Sequence, residues 1–357
     1  MNRTPAGERL RTSYEAEIAL LNPGAGRTGV GGLAVALAAL PFLCSAFLLD
    51  LANQVLLALI GAVALMLLTG CAGQISLGHA GLLAAGAFTT GILFKEAAAP
   101  LWVTLPASAA VGAVLGLVFG LPSLRVRGLY LAVSTLALHF IVIYGGQEYE
   151  SRRGFLTGVV IDSPMIGAWT LSDPLAWYFV LLAFAAASLL FSVNLLRTRT
   201  GRAWRAIHGR EAVAEALGIH VPAAKLLAFV VSSVMTAIAG CLFAYYRNFV
   251  SSEAFTLYVT IQYAAMIIIG GMGSMLGAVL GAVFVTLFPY LIEYLIGVLP
   301  VPKGWANSVF AVNYTAFGLV MILFLLFEPQ GLVGIWHRIQ NYFLLWPFKQ
   351  RPLAGTK

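Results

Sequence analysis

The sequence predicts an all-α, polytopic membrane protein of about ten transmembrane or re-entrant helices, and three observations carry that expectation. Hydrophobic residues make up 60% of the 357-residue chain and charged residues only 10%, whereas soluble domains carry about a quarter charged. The mean hydropathy is +0.91. Long runs almost free of charge recur along the whole length, as spanning helices require. The short alternating segments of a β-barrel are absent.

Ten apolar segments follow one another, near residues 30–49, 53–69, 79–94, 101–120, 128–146, 175–196, 226–245, 258–272, 275–298 and 307–327. Residues 1–29 are polar and mixed in charge, and the first apolar run starts too late and lasts too long for a cleaved signal peptide. They are expected to form a cytoplasmic N-terminal segment, 30–327 the membrane domain, and 328–357 a cytoplasmic tail. An even number of spans puts both termini on one side. With that side inside, 16 of the 21 Lys and Arg residues fall in inner segments, and Lys95, Arg152, Arg153, Arg247 and Lys303 fall outside. The positive-inside bias therefore predicts an N-in/C-in orientation.

Segments 53–69, 79–94 and 258–272 are short for a hydrocarbon core about 30 Å thick. They abut two glycine-rich breaks, Gly73-Gln74-Ile75-Ser76-Leu77-Gly78-His79-Ala80-Gly81 and Gly270-Gly271-Met272-Gly273-Ser274. Interrupted segments in corresponding places of two halves point to a translocation pathway, because broken helices expose backbone dipoles that hold a solute without charge. Gln74, Ser76 and His79 strengthen that reading at the first break. At the second, close helix packing explains the glycines equally well.

The long polar interruption of the second half is a loop at 197–225, with Arg197, Arg199, Arg202, Arg205, Arg210 and Lys225 in or beside it. From Ala203 to Leu217 it lacks Pro and is rich in Ala and Glu, which predicts one short helix ending near Gly218. It is either a handle gripped by another protein or a solvated loop that fixes topology. Glu211 and Glu215 share a face. The helix dipole is a poor reason for them there, so a partner's basic groups are expected opposite.

The net charge of +7 does not point to nucleic acid, since most basic residues lie in loops on one side. Cys44, Cys71 and Cys241 fall in apolar segments without metal spacing, which argues against disulfides and metal sites. No Lys, Arg or Asp lies inside an expected span, and Glu293 and His139 are the only ionisable groups well inside one. A proton- or sodium-coupled secondary carrier would need a chain of such groups. An integral-membrane enzyme would need a convergent catalytic set, and His79, His139 and Glu293 have no spacing that makes one. No catalytic residue is assigned. The dipeptide Gly-Lys occurs nowhere, so the chain has no phosphate-binding loop and any ATP hydrolysis belongs to another subunit.

Five stretches carry a resemblance: GQISLGHAG at 73–81, LRVRGLYLAVSTLAL at 124–138, GRAWRAIHGREAVAEALGI at 201–219, GGMGSMLGAVLGA at 270–282 and FEPQGLVG at 327–334. In this order and spacing the chain resembles the branched-chain amino-acid ABC-transporter permeases (LivM type), from about Leu51 to Gly334. The resemblance implies an ABC importer permease fold in a bacterial-type inner (plasma) membrane, forming half of a pore with a sister permease subunit. Two ABC ATPase subunits would bind ATP and Mg, and an external solute-binding protein would deliver the solute. No cofactor is implied in this chain. The expected solutes are branched-chain or other apolar amino acids, with urea or small aromatic or dicarboxylic acids as the alternative. The resemblance makes the central loop a coupling helix, with Arg202, Arg205, Glu211, Ala212, Glu215, Ala216 and Gly218 toward the ATPase. The candidate pathway residues, read from the two breaks and completed by Thr135, are Gly73, Gln74, Ser76, Gly78, His79, Gly81, Thr135, Gly270, Gly271, Gly273 and Ser274. One departure is clear: the family's Thr-Gly-Gly and Asn-Gly pattern is replaced by Ser151-Arg152-Arg153-Gly154-Phe155-Leu156-Thr157-Gly158.

Overall fold

The computed structural model describes residues 25–124, 128–155, 158–166, 169–298, 309–328 and 330–345. Lys303, Arg125, Arg127, Leu156, Thr157 and the stretches 1–24 and 346–357 lie outside the described residues, so the charge asymmetry is read over the remainder. The chain divides into two units, Met1–Asp50 and Leu51–Lys357.

In the first unit, α1 runs over Ala25–Leu43 with Pro41 in its last turn. The chain breaks at Cys44-Ser45, and α2 begins at Ala46. Ser45 accepts a hydrogen bond from the Leu48 amide at 3.5 Å, the cap that starts a helix. This moves the expected break at 50–52 upstream and places Asp50 within a helix, contrary to the expectation of no Asp in a span.

The second unit is helical almost throughout. α2 (Ala46–Leu65) passes into a π-helical turn at Met66–Cys71, so the segment expected to be short is part of a 26-residue helix. There follow α3 (His79–Ala97), α4 (Leu101–Ser123), α5 (Leu129–Arg153) and α6 (Pro174–Arg197). Asp173 caps α6 by accepting from the Leu175 amide, with Pro174 at the first helical position, a residue order that favours helix initiation. Then come α7 (Arg199–Gly209), α8 (Glu211–Ala216), α9 (Val221–Arg247), α10 (Leu257–Gly270), α11 (Met275–Val298), α12 (Val309–Phe327) and α13 (Gly331–Leu345). Short strands β1 (Val159–Val160) and β4 (Phe249–Val250) pair antiparallel, and β2 (Met165–Ile166) pairs with β3 (Trp169–Thr170).

Among the described residues seven helices are long and apolar enough to cross a membrane, and α12 with α13 forms a pair bent by 54°. The fold is thus an all-α polytopic one, while the count of ten is not reproduced. α3 is not among the seven; it is buried nearly continuously from His79 to Gly91. α9 is the hub, packed on α4 and α3. A Cβ at Gly240 of α9 would collide with the Leu83 carbonyl of α3, so glycine is what lets these backbones meet. Hydroxyls tie α9 to its neighbours: Ser232 donates to the Ala64 carbonyl of α2 at 2.8 Å, and Thr104 of α4 and Tyr245 hydrogen bond at 2.9 Å.

Candidate functional site

The first glycine break starts where the π-helical turn ends. Gly73 has φ +68°, and the Gln74 amide donates back to the Leu68 carbonyl at 3.0 Å. Gln74 and Ser76 are buried, yet their polar atoms serve the loop itself: the Gln74 carbonyl accepts from Thr69 Oγ1, and Ser76 Oγ accepts from the Gly78 amide. Thr135 of α5 clamps it. Its Oγ1 accepts from the Leu77 amide at 2.9 Å, and a Cβ at Gly78 would stand 2.7 Å from its carbonyl oxygen. The His79 ring packs on Tyr263 with centroids 4.7 Å apart. Gly81 faces His139, where a Cβ would lie 2.9 Å from the His139 Cα. His139 is therefore an interhelical packing contact.

The second break turns between α10 and α11. Gly271 and Gly273 have φ +118° and +82°, conformations suited to glycine. Ser274 caps α11 by accepting from the Gly277 amide at 3.4 Å. Gly270 abuts the Gly277 backbone, and Gly271 abuts the Gln330 carbonyl that precedes α13. The second break touches the π-helical turn that leads into the first: the Gly273 amide donates to Met66 Sδ at 3.2 Å.

The central loop meets them there. A cleft of about 240 Å³ is lined by Gly70, Cys71, Arg205, His208, Met272 and Gly273, and a Cβ on Gly73 would lie 2.9 Å from His208 Nδ1. All five stretches of the resemblance thus converge at the arginine-rich end of the bundle. Their separation in sequence conceals this.

The expected single helix is two. Arg210 has extended backbone angles, φ −156° and ψ 112°, and splits the arm into α7 and α8. Trp204, fully buried, donates from Nε1 to the Ala224 carbonyl at 2.8 Å, and Ile207, Ala214 and Val221 form a small core under the arm. Arg202 donates to the Arg197 carbonyl at 2.8 Å and Arg205 to the Leu196 carbonyl at 3.3 Å, capping the negative end of α6. Within the chain Glu211 pairs with Lys225 at 2.5 Å and keeps 24% of its side-chain exposure. Lys225 is not a loop residue; it lies in the second turn of α9, with its side chain only 5% exposed. Ala212, Glu215, Ala216 and Gly218 are exposed. Beside them stand Val213 and Leu217, 50% and 74% exposed, which composition within one long helix did not single out.

A separate cavity of about 360 Å³ lies between α2, α3, α9, α10 and α11, and none of the expected pathway residues lines it. Gln54, Gln262 and Tyr290 do. Their signal was present in the sequence, as two glutamine amides and a tyrosine hydroxyl within apolar runs.

The profile of the family described as "Branched-chain amino acid transport system / permease component" matches residues 47–326. The high-affinity branched-chain amino acid transport system permease protein LivM of Salmonella typhimurium is 31% identical over 325 residues, covering 84% of this chain and 73% of that protein. The Escherichia coli protein of the same description is 30% identical over 325 residues, with the same coverage. The probable branched-chain amino acid transport permease protein LivM of Methanocaldococcus jannaschii is 27% identical over 233 residues, 62% of this chain and 65% of that protein. No solved structure matches the chain.

Proposed function

The chain belongs to the branched-chain amino-acid transport permease family, and from that premise we propose that it forms half of the pore of an ABC importer in a bacterial-type inner membrane. A sister permease supplies the other half, and two cytoplasmic ATPase subunits bind the ATP and Mg. A solute-binding protein on the outside delivers branched-chain or other apolar amino acids. The observation that carries this reading is the placement of the arm: α7 stands at the junction of both glycine breaks through Arg205 and His208, and α8 with its C-cap leaves Val213 and Leu217 exposed.

The mechanism follows from how the arm is tied. ATP-driven closure of the ATPase subunits displaces α8. The Glu211–Lys225 pair and the Trp204–Ala224 hydrogen bond pass the displacement to the start of α9, which packs on α3 and α4. His208 against Gly73 and the shared cleft at Gly70 and Gly273 couple the same movement to both breaks. Interrupted helices re-aim there at low cost, because their glycines tolerate backbone change.

The test is uptake of labelled leucine by proteoliposomes holding the co-expressed permease and ATPase subunits, with ATP and Mg inside and the binding protein outside. Uptake is expected only when all components are present. Leucine uptake without the ATPase subunits would replace the importer by a secondary carrier. Import of urea or of aromatic or dicarboxylic acids, with leucine excluded, would keep the importer and change its solute.

A further inference from the structure

The 360 Å³ cavity has the size of a small-molecule site, about 300–1,000 Å³, and its lining divides by chemistry. Leu57, Leu83, Phe243, Phe255, Met266 and Val285 supply hydrocarbon and aromatic walls. Gln54, Gln262, Thr286 and Tyr290 add neutral polar groups, with the Tyr290 hydroxyl donating to Gln54 Oε1 at 3.0 Å. Thr286 Oγ1 is buried without a hydrogen-bond partner among the described residues. Two charged side chains complete the lining: Arg247, the last residue of α9, and Glu293, near the end of α11. Both are exposed, and neither forms an ion pair among the described residues. They mark the end of the bundle opposite the arginine-rich arm.

We propose that this cavity is the outward receiving site for the solute and that it selects zwitterions with a hydrocarbon side chain. Arg247 takes the carboxylate, Glu293 takes the ammonium, and the side chain enters the apolar floor. The assignment rests on the importer reading and deepens it. One cation and one carboxylate at the rim leave a site of no net charge, which suits an α-amino acid. An acid without the amine, or an amine without the acid, leaves one rim charge uncompensated; urea satisfies neither. The planar guanidinium donates two parallel hydrogen bonds to a carboxylate. Each methylene buried against the floor is worth about fourfold in affinity, so leucine is expected to exceed alanine by at least tenfold.

The test uses the assembled complex with Cys44→Ser and Val259→Cys, since Val259 lines the cavity and Cys71 and Cys241 are buried. ATP-dependent leucine uptake by this complex is measured first, and its failure would be a failure of the importer reading. Modification of the introduced thiol by a charged, membrane-impermeant reagent is then followed by mass spectrometry of the peptide that carries it. Ala254→Cys at the rim serves as a second reporter. Millimolar leucine should slow the modification, with 3-methylbutylamine, 3-methylbutanoate and urea at least tenfold weaker. Arg247→Gln and Glu293→Gln should each weaken leucine protection at least tenfold, and Arg247→Lys should retain part of it. The proposal is overturned if a complex that imports leucine shows modification at both reporters independent of leucine. Protection by leucine that is unchanged in both Gln variants would overturn it as well.

Discussion

The ammonium of Lys225 is buried at the start of α9 and meets Glu211 across the break at Arg210. A buried charge is retained only with a partner, and removing one member of such a pair costs about 3–5 kcal/mol when both are fully enclosed. Glu211 keeps 24% of its side-chain exposure, so about 2 kcal/mol is the expectation here. Lys225→Met and Glu211→Gln should each lower the melting temperature of the purified complex, and the double variant should lose clearly less than the sum of the two. Strictly additive losses would mean that the pair does not hold the arm to α9. In the sequence Lys225 only closes a run of loop cations, and nothing in the spacing of residues 211 and 225 announces this contact. It exists because an extended residue at 210 turns α8 back over the start of α9.

At the scale of elements, the helices and their order were legible because apolar runs of spanning length have one physical solution in a bilayer. The joints were not. The Gly270–Gly271 break was visible as a cluster, whereas Gly86 and Gly240 sit singly inside helices and became meaningful only where α3 and α9 cross. Gly78 illustrates the remaining ambiguity. It belongs to a polar break expected to line the pathway, yet its missing side chain is filled by the Thr135 carbonyl. Gly78→Leu and Gly240→Val are therefore expected to reduce the yield of assembled complex on size exclusion, along with uptake. Gly218 supplies the contrast: φ is +82° and a Cβ would meet open space. Gly218→Asn, which tolerates that conformation, should assemble normally, and Gly218→Val should destabilise only the end of α8. A Gly240→Val complex of full yield and activity would remove the close crossing as a determinant of the fold.

For the molecule as a whole, the two ends of the bundle are chemically distinct. At one end Arg197, Arg199, Arg202, Arg205 and Arg210 surround an arm whose tip exposes Val213 and Leu217. At the other, Arg153 pairs with Glu96 at 2.6 Å, and Glu150 holds the Ser252 hydroxyl at 2.8 Å, so the end of α5, where the altered stretch begins, is anchored and presents Arg152 and Arg153 there. Ser151→Cys and Thr200→Cys should consequently react with an impermeant reagent from opposite faces of intact cells, Ser151→Cys from outside. The same polarity makes a sharper demand on the arm. A leucine that passes from 74% exposed to buried in an interface contributes about 1.5–3 kcal/mol, and about 1.4 kcal/mol is tenfold in affinity. Leu217→Asp should thus weaken association with the ATPase subunits by tenfold or more and reduce solute-stimulated ATP hydrolysis and uptake together. It should leave the melting temperature of the isolated permease pair nearly unchanged, because the Leu217 side chain is 74% exposed. Arg199→Ala, on the same end but away from the tip, should alter neither. If Leu217→Asp hydrolyses ATP in step with transport at wild-type levels, the ATPase does not grip this arm by its apolar tip. The basic cluster around it then acts in orientation alone.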